Sequence, residues 1–504
     1  MVRRAYIKSN TYQDSVSLMR LSSMIAKMDG IGRASVMMGT ALNKKVLEEI
    51  GMTCPEVEGA QTSDMMLIVE AEDDGFAERA FENIENQLNM ESKVKEESGD
   101  RLPVSISEVV QAGEGFNLAA ISTPGEFAAA EAMKALKNGL NVFLFSDNVS
   151  VESEVRLKKY ARAHDLLVMG PDCGTSVLRG VPLGFANVVG KGDIGLIGAS
   201  GTGLQEVACR ITQLNGGISN VIGTGSHDLS REVGGISMLQ ALDLLEADAQ
   251  TKVVVLVSKP PEKTVAENIA ARAAKMRCPV VICFLDAAGL EPAENITVVD
   301  TLEQAARAAV ALSRGEAVPG FEVSTYQARL PAGRYLRGLY SGGTLAHEAL
   351  TILKKHGVHA CSNLTADSAY ALRDPRESRE TCVVDMGDDK FTVGRPHPMI
   401  DYGDRIARIR REAASPDVAV FLLDVVLGFG SNADPGGAFA AVIGECRARR
   451  PELQFVVHVC GTEDDKQGLK QQCALLEKAG AHVELSHVEA VEKALRLLED
   501  SGQE

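Results

Sequence analysis

At 504 residues the chain exceeds what a single hydrophobic core accommodates, and its length implies about three domains. A composition of 45% hydrophobic and 24% charged residues is that of a soluble globular enzyme. The net charge of −17 argues against a nucleic-acid or anionic-membrane surface, so an anionic substrate needs local positive potential from helix ends and a few Lys or Arg.

Residues 3–8 read as a strand, 11–28 as a helix and 31–38 as a strand, followed by a short helix at 42–50, a strand at 65–70 and a helix at 75–89. This β-α-β-(α)-β-α order predicts a small α/β sandwich over 1–95. Residues 90–103 are polar and read as a linker. Strands at 118–122, 141–145 and 166–170 alternate with helices at 126–138 and 151–164. Short apolar strands alternating with helices imply parallel sheets with right-handed crossovers. The alternation resumes with strands near 194–198, 218–222, 253–257 and 280–285 and helices near 204–214, 235–246, 263–275 and 302–313. Residues 314–331, with Gly315, Pro319, Gly320 and Pro331, read as a second linker. A third set has strands near 335–340, 381–385, 418–423 and 454–459 and helices near 345–356, 404–413, 436–448 and 466–478. The expected fold class is α/β throughout.

Two glycine-rich turns stand out, each between a strand and a helix. One carries Ser200, Gly201, Thr202 and Gly203; the other carries Ser341, Gly342, Gly343 and Thr344. A helix N-terminus offers unpaired N–H groups and about half a positive charge, which suits phosphate or carboxylate. The turn at 198–203 is not a G-x-G-x-x-G fingerprint or a Walker loop, because no Gly-Lys-Ser/Thr ends it. Each alone reads equally as a βα turn that caps its helix, whereas the pair suggests one anion held from both sides. Four loops at predicted strand ends add side chains. Met169–Thr175 holds Gly-Pro-Asp-Cys, Gly223–Asp228 holds His227, and Ser258–Pro261 holds Lys259. Gly428–Pro435 either lines the same crevice or caps the following helix through Asp434. The densest polar stretch combines Asp385 with Arg395 and His397 in a proline-braced loop. Arg clasps a carboxylate with two parallel hydrogen bonds, and His moves a proton near pH 7. The alternatives are solvated loop residues at each place.

The ten cysteines form no C-x-x-C pair, and several lie in apolar strand-like runs. Buried free thiols in a reducing compartment are expected, with no metal site. Met1-Val-Arg-Arg leads into no long apolar region, and Val418–Val426 is too short to span a bilayer. The expected address is the cytoplasm, without membrane association.

Together these segments resemble the FdrA protein family, whose members look like fused succinyl-CoA synthetases. The resemblance runs almost end to end. It is carried by Asn10–Met19, Leu144–Val151, Gly170–Thr175, Gly198–Gly203, Gly394–Asp401 and Leu427–Ser431. It implies a Rossmann-like CoA-binding-type domain over 104–185 and two flavodoxin-like synthetase-type domains over 186–318 and 332–504, the first α-subunit-like and the second β-subunit-like. In the synthetase a phosphohistidine lies between two helix N-termini, which the turns at 198–203 and 341–344 match. The segment Asp286-Ala-Ala-Gly-Leu290, where the family's Gly-His-Ala-Gly belongs, has no histidine. Lys259 stands where the synthetase has a supporting glutamate, and the ATP-grasp part has no counterpart. The resemblance therefore implies an oxamate carbamoyltransferase subunit of allantoin catabolism, acting on carbamoyl phosphate and oxamate or oxalurate within an oligomer of partner subunits. The two turns and Lys259 would hold phosphate, Arg395 and Asp385 the substrate, and His397 or His227 the proton, with no cofactor. The alternatives are an acyl-CoA synthetase or acyl-CoA-binding enzyme, with CoA near Ser122–Gly125 and Ser146–Asn148, and a non-catalytic, metabolite-sensing scaffold.

Overall fold

The structure is a computed structural model and describes residues 1–97, 105–113, 115–287, 289–321, 326–392 and 395–502. In chain order the elements begin β1 (Val2–Lys8), α1 (Ser15–Ala26), β2 (Ile31–Met38), α2 (Ala41–Glu49), α3 (Pro55–Glu58), β3 (Met65–Ala71), α4 (Asp74–Glu97) and α5 (Ile106–Gln111). They continue with β4 (Leu118–Ile121), α6 (Gly125–Lys137), β5 (Asn141–Leu144), α7 (Val151–Ala163), β6 (Val168–Met169), β7 (Thr175–Leu178) and β8 (Val181–Gly184). Next are β9 (Lys191–Gly198), α8 (Gly201–Gln213), β10 (Ile218–Gly223), α9 (Ile236–Ala247), β11 (Val253–Ser258), α10 (Lys263–Ala273), β12 (Val280–Phe284), β13 (Ile296–Val298) and α11 (Leu302–Ser313). The last group is β14 (Tyr335–Tyr340), α12 (Gly343–Lys355), β15 (Cys382–Asp385), α13 (Asp389–Thr392), α14 (Gly403–Ala413), β16 (Val418–Val426), α15 (Pro435–Arg449), β17 (Gln454–Cys460), α16 (Leu469–Lys478), β18 (His482–Glu484) and α17 (His487–Asp500).

The chain forms two compact units. The first comprises Met1–Phe116, Ser122–Pro124 and Asp388–Asp401. Its sheet has the order β1-β3-β2, with β3 antiparallel to both neighbours. The central strand explains its own sequence. Met65, Leu67 and Val69 join a core with Ile25 of α1 and Ile84 of α4, while Met66 and Ile68 join one with Leu47 and Val57 on the opposite face. Successive side chains point to opposite faces, so a strand covered on both sides is apolar without interruption. The loop ending at Asp401 is tied to α1, because Ser23 Oγ donates to Asp401 Oδ2 at 2.5 Å. The linker expected over 90–103 begins later, since α4 runs to Glu97 through helix-forming Met, Glu and Lys. Its last residues, 98–103, lie outside the described residues.

The second unit holds three sheets. One is a small parallel sheet β4-β5-β6, and one is the seven-stranded β13-β12-β11-β9-β10-β7-β8, parallel except for the β7–β8 hairpin. The third is the all-parallel β15-β14-β16-β17-β18. The α/β class with parallel sheets is therefore the observed one. A single core joins the two larger sheets, with Leu204 and Ile211 of α8, Leu302 of α11, Leu345 and Ile352 of α12 and Leu495 of α17 all buried in it. Between α11 and β14, where the second linker was expected, the described residues form no helix or strand.

Candidate anion site

The topology places the first glycine turn. From β9 the chain passes through α8 to β10 on one side, whereas β11, β12 and β13 extend the sheet on the other. Strand order thus reverses between β9 and β11, the position at which open α/β sheets take ligands beyond the strand ends. Ser200 follows β9 there and Lys259 follows β11. The five-stranded sheet repeats this plan. From β14 the chain passes through α12 to β15 on one side, and β16 lies on the other.

Ser200 is an extended N-cap whose Oγ accepts from Gly203 N–H at 3.1 Å. The equivalent cap of α12, Gly342, has no side chain to use. A carboxylate from the neighbouring strand serves instead. Asp424 of β16 accepts from Ser341 N–H at 2.8 Å, from Ser341 Oγ at 2.9 Å and from Gly342 N–H at 3.0 Å. Arg405 Nη2 holds that carboxylate at 2.5 Å and also donates to the carbonyls of Leu339 and Asp424. Both side chains are 0% exposed. The donors of Ser341 and Gly342, expected to meet a ligand, are therefore occupied by an anion of the protein itself.

The two turns touch. Ser200 Oγ and Thr344 Oγ1 share a 2.6 Å hydrogen bond. A Cβ on Gly342 would come within 2.7–2.9 Å of the Thr202 side chain, and one on Gly203 within 3.0 Å of Thr344 and Val257. Only glycine lets these backbones approach so closely. A side chain at Gly343 would likewise meet the carboxylate of Asp385, which accepts from Gly387 N–H at 2.8 Å. The start of α12 is thus faced by two carboxylates, Asp424 and Asp385, and its positive end is largely satisfied.

The start of α8 is different. Gly201 and Thr202 are half-buried, their amides have no intrahelical acceptor, and the Thr202 hydroxyl makes no hydrogen bond among the described residues. Lys259 is half-buried and has no hydrogen bond or ion pair among the described residues. Sequence reasoning missed a third group, His347 of α12, one turn beyond Thr344. Its Nε2 is buried and makes no hydrogen bond among the described residues. Burial holds this imidazole below its usual range; Asp286 pulls it up and Lys259 pushes it further down. The available signal was the i, i+3 spacing from Thr344, which places His347 on the same side of the helix.

Each helix also carries a fully buried glutamate on its second turn, and both are paired. Glu206 meets His458 Nε2 at 2.8 Å, and Glu348 meets His487 Nδ1 at 2.6 Å. Tyr340 OH and the other nitrogen of His487 are 3.0 Å apart, and the two imidazole rings stack edge-on at 5.3 Å.

The remaining expected residues sit on other loops. His227 follows β10, and its Nδ1 is 3.6 Å from Glu154 Oε2. The Glu154 carboxylate raises its pKa, against burial. Glu154 and Asp228 in turn hold the buried ammonium of Lys158 at 2.7 and 2.8 Å. Arg395 and His397 belong to the first unit, where His397 Nδ1 accepts from Met399 N–H at 3.2 Å. Of the loops expected to meet CoA, Ser122–Pro124 belong to the first unit. In the second, a side chain at Gly125 would overlap the carbonyls of Asp147 and Asn148.

Three protein families match the chain. Residues 1–103 match the AllF heavy metal-associated domain, 190–286 the CoA binding domain and 339–497 the CoA-ligase family. The Escherichia coli K12 protein described as "Uncharacterized protein YahF" is 43% identical over 490 residues, which are 94% of each chain. The chain belongs to the YahF family. This YahF-family chain is succinyl-CoA-synthetase-like. The succinate–CoA ligase α subunit 2 of Archaeoglobus fulgidus is 28% identical over 159 residues, 31% of the chain and 54% of that subunit. An α subunit from Staphylococcus epidermidis is 24% identical over 151 residues, 29% and 48% respectively. The chain thus spans about half the length of these two subunits. A dinucleotide-forming acetyl-coenzyme A synthetase 1 from Korarchaeum cryptofilum aligns with 80% of the chain and 88% of its own at 14% identity and a TM-score of 0.34.

The AllF match raises the question of a heavy metal. In residues 1–103 there is no histidine, and Cys54 is the single cysteine. Burial and Glu56 push its thiol up to about 11. Among the described residues no group of three or more His, Cys, Asp or Glu comes together to hold a metal ion. The donors of this domain do not fit a thiophilic ion.

Proposed function

We propose that this YahF-family chain is the FdrA-type subunit of an oxamate carbamoyltransferase. The reaction interconverts oxalurate and phosphate with oxamate and carbamoyl phosphate. One observation carries the reading: at the strand-order reversal Lys259 follows β11, whose Val257 is in register with Gly198 of β9 just before α8, and it has no hydrogen bond or ion pair among the described residues, while the segment Asp286–Leu290, where the family's phosphate-carrying histidine belongs, has none. A cradle without its own phosphate carrier suits a phosphate that arrives on the substrate. Lys259 and the amides of Gly201 and Thr202 would hold it, with the Thr202 hydroxyl as a further donor. Fixed donors aimed at developing oxygen charge supply the main catalytic effect, and juxtaposition of the two substrates supplies the second. We place the enzyme in a reducing cytoplasm with partner subunits, which suits ten free cysteines, seven of them buried.

A second reading, a CoA-dependent acyl ligase, is favoured by the CoA-binding and CoA-ligase matches. One set of assays separates the two. The full chain, alone and with its partner subunits, is given carbamoyl phosphate and oxamate, and phosphate release is followed. Oxamate-dependent release, lost in Lys259→Ala, is the expected result. Deleting one charged hydrogen-bond donor costs about 1.5–3 kcal/mol, a tenfold or greater loss of phosphate affinity. Thioester formation from CoA, ATP and an acid would establish the second reading instead. Inactivity in every mixture would favour a metabolite-sensing scaffold.

A further inference from the structure

We infer that His347 is the proton-handling residue of this site, supplied by α12 rather than by the loop after β12. The inference rests on the carbamoyl-transfer reading. Three observations carry it. The loop after β12 presents Asp286, so a histidine has to come from another element. His347 lies one turn beyond Thr344, whose hydroxyl is bonded to the N-cap of α8, and it experiences the charges of both Lys259 and Asp286. Its Nε2 is buried without a hydrogen-bond partner among the described residues. A buried polar atom left unpaired is costly, and a catalytic role is one of the few reasons a fold retains one. The other buried histidines are committed: His458 to Glu206, His487 to Glu348 and Tyr340, and His356 to the Tyr326 carbonyl. The charged groups that act on His347 are Asp286 after β12, Lys259 after β11 and Glu348 on its own helix.

The step balances without a co-reactant. The oxamate amide nitrogen attacks the carbamoyl carbon and forms the C–N bond of oxalurate. The bond from that carbon to the bridging anhydride oxygen breaks, and its electron pair leaves with phosphate. Nε2 of neutral His347 takes the amide proton and returns it to the departing phosphate, which leaves as hydrogen phosphate. In the reverse direction the same nitrogen deprotonates the attacking phosphate. Lys259 holds the phosphate oxygens throughout.

The test uses the full chain with its partner subunits and compares His347→Gln, His347→Asn and wild type. Loss of a general base lowers turnover by roughly 10²- to 10⁴-fold. The Kd for inorganic phosphate is expected to stay within a factor of about three, because that binding belongs to Lys259 and α8. Wild-type turnover is expected to fall on the acid side of the ordinary histidine value of 6.5, and this limb is expected to vanish in the variants. Variants that turn over like wild type, or that lose phosphate affinity in step with turnover, overturn the inference and leave the carbamoyl-transfer reading standing. If both variants misfold, the wild-type profile decides: a flat acid side overturns the inference. A wild-type complex that transfers no carbamoyl group overturns the underlying reading, and the role of His347 with it.

Discussion

Asp424 shows how a single residue can reverse the meaning of a motif. In β16 it is the one charge in a nine-residue buried strand, and its carboxylate, not a ligand, meets the second glycine turn. The sequence displays the turn and the odd aspartate, but not Arg405, which reaches it from α14. Pairing between distant elements leaves no local periodicity to read. Asp424→Ala is expected to cost about 3–5 kcal/mol in urea unfolding, because it strands a buried guanidinium. Asp424→Leu combined with Arg405→Met is expected to recover most of that loss; equal destabilisation by both proteins would contradict the pairing. His458 makes a pH-dependent contribution. Burial opposes its charge, but Glu206 outweighs burial and raises its pKa. The stabilisation is therefore complete below the ordinary value of 6.5 and is lost as pH rises through the raised value. Glu206 is lowered: burial opposes its charge and His458 prevails, so its share holds above 4.5 and disappears as pH falls through the lowered value. The stability gap between wild type and His458→Gln should be widest between those two ordinary values and narrow toward alkaline pH. Parallel unfolding curves across that range would rule out the charged pair.

Among elements, the long alternating strands and helices were legible because their apolar runs are bounded by glycine and proline. The three-residue edge strands β13 and β18 and the β7–β8 hairpin were not, since so few residues carry no period. The helix α17 escaped notice for another reason: it follows β18 directly, and no second glycine signal announces it. The glycine turns were legible as helix starts, but which donors stayed open depended on neighbouring strands. Their close contact makes Gly342 a sensitive probe. Gly342→Ala puts a Cβ within 2.7–2.9 Å of the Thr202 side chain. Overpacking of this kind costs about 1–3 kcal/mol. It should also displace Thr202 from the open start of α8, so phosphate affinity should fall about tenfold in calorimetry, beyond the stability loss. Gly444→Ala is the matched control: it lies within α15 with nothing within 4 Å of its added methyl. Removing a helical glycine there should raise stability by about 0.5–1 kcal/mol and leave phosphate binding unchanged. Unaltered phosphate affinity in Gly342→Ala would separate that glycine from the site.

At the scale of the whole molecule, the parts of the second unit that match the CoA binding domain and the CoA-ligase family are joined by their core as well as by the chain. Leu204 and Leu302 on one side and Leu345, Ile352 and Leu495 on the other belong to one buried cluster. The polar pairs cross the same divide: Glu206 with His458, and Glu348 with the backbone N–H of Leu302 at 2.7 Å. Separating the halves would expose the apolar residues of this cluster, part Glu206 from His458 and cost Glu348 the bond from Leu302. The covalent connection between them, by contrast, contains no helix or strand among its described residues. Covalent continuity should therefore be dispensable while association is not. Fragments 1–318 and 332–504, coexpressed, are expected to co-elute in size-exclusion chromatography and to bind inorganic phosphate with the affinity of the intact chain. Expressed singly, each is expected to aggregate. Adding Glu206→Leu to the first fragment should weaken the pair, since it leaves His458 without its carboxylate. A 332–504 fragment that stays monomeric and unfolds cooperatively on its own would show that the two halves fold independently, and that the contact between Ser200 and Thr344 forms only after both are complete.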